Sequence, residues 1–70
     1  MNNRLQELRM QMGVTQKAVA HKIGCTPKAY SRYERMEREP DIEMLKELSK
    51  FFGKSIDYIV CNDRGVNQLW

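Results

Sequence analysis

A chain of 70 residues, 41% hydrophobic and 30% charged, has the composition of a single small folded domain. At that length only about 60% of the unfolded surface is buried, so the core is thin and each apolar contact weighs heavily. No apolar run is long enough to cross a bilayer, and the opening "MNNRLQELR" has no apolar stretch of the signal-peptide kind, so a membrane-spanning or secreted protein is not expected. The net charge of +3 is unevenly placed: residues 1–35 hold seven Lys/Arg against two Asp/Glu, a balance of +5, and residues 36–70 hold five against seven, a balance of −2. A basic half beside an acidic half suits a protein with one side turned to a polyanion, although an ordinary mixed surface fits charge alone equally well.

No stretch alternates strictly between apolar and polar residues, so no strand is expected and the period is helical throughout. The first helix is expected over Asn3 to Met12, with Leu5, Leu8 and Met12 on its inner stripe and Gly13 at its end. Thr15 stands at an N-cap position for a second helix that reaches Ile23, its inner stripe formed by Val19 and Ile23, and Gly24 ends it. Thr26-Pro27 is a strong start signal, a hydroxyl cap followed by proline at the first helical position, and the third helix is expected to run to about Arg35. "MEREPD" is a charged loop. Asp41 caps a fourth helix with Ile42, Leu45, Leu48 and Phe52 facing inward, closed by Gly53. Ser55 caps a short fifth helix through Cys61, with Ile56, Ile59 and Val60 inside. The domain is therefore placed at residues 1–61. Residues 62–70 form a tail without period, expected to be mobile unless Leu69 and Trp70 dock. Five helices this short must share one core, which makes the fold all-α.

The third helix has two unlike faces. Lys28, Ser31, Arg32 and Arg35 fall within about 100° of one another on a helical wheel. Ala29, Tyr30, Tyr33 and Glu34 occupy the opposite arc. One face can pack; the other is cationic and hydroxylic and starts at a capped N-terminus, as suits a helix lying in the DNA major groove. Gln16 and Lys17 at the start of the second helix add groups that reach a phosphate, helped by the free N–H groups and the helix dipole there. Ala20 is small where two steeply crossed helices would touch, and Gly24 is permissive where the chain turns, which is the helix-turn-helix arrangement. Cations on an outer helix face by themselves favour a solvated surface; the coincidence of turn, cap, charged face and small-residue crossing is what favours DNA.

The run "VTQKAVAHKIGCTPKAYSRYE" and the later "PDIEMLKELSKFFGKSIDYI" resemble, without a gap, the phage-repressor and Cro-like family of helix-turn-helix proteins, also called Xre-like. The resemblance covers Arg4 to Val60, about four-fifths of the chain. It implies a five-helix, lambda-repressor-like domain, in a bacterial or phage cytoplasmic setting, that binds double-stranded operator DNA, usually as a homodimer on an inverted repeat. Gln16 matches a glutamine that contacts phosphate and braces the reading helix. Thr26, Pro27, Lys28, Ser31 and Arg32 match positions that meet bases or nearby phosphates. Arg9 and Glu34 match an ion pair that ties the first helix to the third. The family commonly has a glycine soon after that glutamate, where this chain has Met36. Methionine resists positive φ, so either the third helix runs longer or the loop takes another course. Glu37 would repel a phosphate there, leaving Arg38 as the loop's candidate contact.

Met44, Phe51 and Tyr58, with Leu69 and Trp70, are candidates for a dimer seam; extension of the core edge accounts for them equally well. Glu43, Lys46, Glu47 and Lys50 make a solvated face. An enzyme is not expected: there is one histidine, no phosphate-cradling glycine loop and no nucleophile set beside a base. No metal or cofactor is expected either. Cys25 and Cys61 read as free thiols, Cys25 as buried and inert, and His21 as lying on the solvent side. The expectation is a sequence-specific DNA-binding repressor without a sensing domain of its own. The alternative is an antitoxin or adaptor that uses the same fold to bind a protein partner through its tail and fourth helix.

Overall fold

A computed structural model describes residues 3–62, and these form five α-helices with no strand among them. The helices are α1 (Leu5–Met12), α2 (Gln16–Ile23), α3 (Pro27–Glu34), α4 (Ile42–Phe52) and α5 (Ile56–Ile59). Four of them start on the side-chain caps expected: Thr15, Thr26, Asp41 and Ser55 each accept a hydrogen bond from the backbone N–H three residues on, satisfying a donor that the first turn leaves orphaned. The first helix begins two residues later than expected. Asn3 stands outside it, where its Oδ1 accepts from the Leu5 N–H and its Nδ2 donates to the Tyr33 carbonyl at 2.8 Å.

Each helix is followed by a residue in the left-handed region. Three are glycines, and the other two are Met36 and Cys61, both at φ 61°. At the end of α3 the Met36 N–H donates to the Tyr33 carbonyl and the Glu37 N–H to the Arg32 carbonyl, the two bonds of a Schellman stop. The expectation that methionine would lengthen the helix or redirect the loop is therefore corrected. The backbone takes the course a glycine would take, because the stop satisfies two carbonyls and outweighs the cost of the Cβ. The same pair of bonds closes α5 at Cys61 and Asn62, which ends that helix two residues short of the expected limit.

The core consists of Leu5, Leu8, Val19, Ala20, Ile23, Tyr30, Tyr33, Leu48, Phe52 and Ile59. Ala20 is fully buried, as a close approach between α2 and α3 requires. Two residues assigned to inner stripes face out instead: Met12 is 48% exposed and Ile42 is 67% exposed. Both lie at helix ends, where the stripe extends past the neighbouring elements: Met12 just before the chain turns off at Gly13, Ile42 one turn ahead of the packed part of α4. Leu45, Ile56 and Val60 are half-buried. The N-terminal stretch is fastened to α5 by the Arg4 N–H, which donates to the Ile59 carbonyl at 2.8 Å, and by the Arg4 guanidinium 4.1 Å over the Tyr58 ring.

Candidate nucleic-acid interface

The exposed face of α3 is set by what lies behind it. Tyr30, Tyr33 and Glu34 are buried, so the helix has one rotational setting, and in that setting Thr26, Pro27, Lys28, Arg32 and Arg35 are exposed and Ser31 is half-buried. The two-faced wheel expected from the sequence is thus present in three dimensions.

Glu34 holds that setting. Its carboxylate accepts from Arg9 Nε at 2.7 Å and from Arg9 Nη2 at 3.3 Å, a two-point fork, and from Gln16 Nε2 at 2.9 Å. Arg9 also donates from Nη1 to the Val14 carbonyl at 3.1 Å. One buried carboxylate therefore connects α1, the loop after it, α2 and α3. Burial by itself would raise the Glu34 carboxyl, but the bonds from Arg9 and Gln16 hold it below the usual carboxylate range. The bond to Glu34 raises the Arg9 guanidinium in turn. Tyr30 is fully buried, and burial first, then the adjacent carboxylate, pushes its phenol upward. Its hydroxyl lies beside Glu34 but makes no hydrogen bond of good geometry among the described residues.

Lys17 is exposed on α2 and lines an open groove with Thr15, Ala18, His21, Cys25 and Pro27, between the start of α2 and the start of α3. His21 is on the solvent side. Cys25 is half-buried in the groove wall rather than fully enclosed, and burial still raises its thiol. Arg35 does not project freely. Its Nε lies 3.1 Å from Glu37 Oε2 and its Nη2 3.3 Å from Glu37 Oε1, an exposed pair that helical spacing does not suggest. Arg38 is exposed in the loop. Met44, Phe51 and Tyr58 are half-buried against the core, Phe51 packing edge-on to Phe52 at 5.0 Å. Leu69 and Trp70 lie outside the described residues. Among the described residues there is no cluster of His, Cys, Asp or Glu able to hold a metal, and no helix is long and apolar enough to cross a membrane.

The helix-turn-helix family model matches residues 5–59. The HTH-type transcriptional regulator ImmR of Bacillus subtilis (strain 168) is 38% identical over 63 residues, which is 90% of this chain and 50% of ImmR. The uncharacterized HTH-type transcriptional regulator YqaE of the same organism is 39% identical over 56 residues, 80% of this chain and 48% of YqaE. The chain thus spans about half the length of the curated relatives it matches. Among solved structures, the P22 c2 repressor protein in complex with synthetic operator 9T superposes with a TM-score of 0.81 at 35% identity, covering 86% of this chain and 91% of that one.

Proposed function

This chain belongs to the helix-turn-helix family, and we propose that it is a sequence-specific double-stranded DNA-binding transcriptional regulator, a repressor that occupies an inverted-repeat operator as a homodimer. The observation that carries this reading is the locked rotation of α3. A buried fork of Arg9 on Glu34, braced by Gln16, holds the helix so that Lys28, Arg32 and the Thr26-Pro27 start face outward. Laid in a major groove, Arg32 would read a guanine edge, and Lys28 and Ser31 would reach neighbouring bases or phosphates. Lys17 and the N–H groups at the start of α2 would meet the phosphate backbone beside the site. Gln16 spends one amide hydrogen on Glu34 and keeps a second for a phosphate. Arg38 would add a backbone contact from the loop. Repression would follow from occupancy, by excluding polymerase from the overlapping promoter. The likeness to a repressor bound to an operator supports the same reading.

Two substitutions separate base reading from backbone contact. Arg32→Ala should relax base preference at one position of each half-site, costing about 1–3 kcal/mol on the preferred base. Lys17→Ala should weaken every duplex to a similar extent and flatten the salt dependence by roughly one unit of slope. Equal, sequence-independent losses in both variants would remove the assignment of Arg32 to base reading.

A further inference from the structure

The exposed pair at the end of α3 has no part in the fold's core, and its arginine belongs to the cationic face of the helix. The Schellman stop at Met36 folds the chain back so that Glu37 follows directly on the last turn of the reading helix, its N–H bonded to the carbonyl of Arg32. From there its carboxylate takes the Arg35 guanidinium at two points, 3.1 Å and 3.3 Å, with both side chains a little over half exposed (56% and 55%). A carboxylate engaging a guanidinium edge at two points occupies the donors that a phosphate would otherwise take.

Resting on the proposal that α3 binds duplex DNA, we infer that Glu37 acts as a built-in phosphate mimic. It holds Arg35 in the free protein and lowers its affinity for DNA of any sequence. Glu37 is then a positioning residue: it touches no DNA and acts through Arg35. Because the pair is exposed, its hold is weak enough for a correctly docked backbone to displace it, and strong enough to discount encounters that depend on charge alone. A left-handed Met36 has a use on this account, because a continued helix would carry residue 37 around the axis and away from Arg35.

The test measures binding of the full chain to a random-sequence duplex as a function of salt, for the wild type, Glu37→Gln, Arg35→Ala and the double variant. Glu37→Gln should tighten binding about three- to fivefold at ~0.05 M salt and steepen the slope of log K against log salt by roughly 0.9. In the Arg35→Ala background the same change should lose most of that gain. Two results would overturn the inference: no effect of Glu37→Gln on a protein that binds DNA, or an equal effect with and without Arg35, which would reduce Glu37 to simple repulsion. A wild-type chain that binds no duplex even at low salt would overturn the DNA reading itself, and this inference with it.

Discussion

At Glu34 a single buried carboxylate accepts from Arg9 and Gln16 and remains charged. Truncating a partner of such a group strands a charge in the interior, so Arg9→Ala should destabilise the domain by about 3–5 kcal/mol, enough to unfold much of a chain this small, as read by urea titration. The sign of its pH dependence follows from the depressed carboxyl. Its contribution is complete above the ordinary carboxylate value of about 4.3 and is lost as pH falls through the lower folded value. Glu34→Gln should therefore be less stable than the wild type at pH 7 and should lack this part of the acid decline; an unchanged acid limb in thermal melts would contradict the assignment. Met36 gives the opposite kind of prediction. Its Cβ sits at φ 61°, where glycine carries no steric penalty, so Met36→Gly should stabilise by about 0.5–1 kcal/mol with the helix end unchanged. The Arg9–Glu34 pair was legible through the family resemblance, whereas the left-handed Met36 was not. Local preference argues against methionine there, and the carbonyls of Arg32 and Tyr33 that reward the turn are met only once the chain has turned. The Arg35–Glu37 contact was hidden for the same reason, since a continued helix would not bring the two together.

Among the elements, α3 depends most on its cap. Thr26 Oγ1 accepts from the Ala29 N–H at 3.1 Å, so the hydroxyl assigned to DNA already has a structural task. Thr26→Ala should cost about 1 kcal/mol of stability and fray the first turn, weakening DNA binding chiefly through loss of order at Pro27 and Lys28. Thr26→Ser keeps the cap and should restore both. Loss of DNA affinity in Thr26→Ser with stability retained would instead point to a contact of the threonine methyl. Helix order, caps and the turn at Gly24 could be read from the sequence because each is a local matter of two or three residues. The stripes were read less well. Met12 and Ile42 fit the period of their helices yet face solvent, because periodicity gives a face and not how far along the helix a neighbour covers it. Phe51 and Tyr58 show the converse, drawn against the core by Phe52 and by the guanidinium of Arg4.

Over the whole molecule, the basic half of the sequence contains α1, α2 and α3, and the acidic half contains the loop, α4 and α5. On the proposed reading, the helices of the basic half meet the duplex. The most direct test of the central claim is selection from a random duplex library at roughly physiological salt, ~0.15 M. The account predicts enrichment of an inverted repeat whose half-sites are centred about 10 base pairs apart, one helical turn, so that two copies of α3 enter successive major grooves on one face. Recovery of no preferred sequence, with only binding that salt removes, would contradict it.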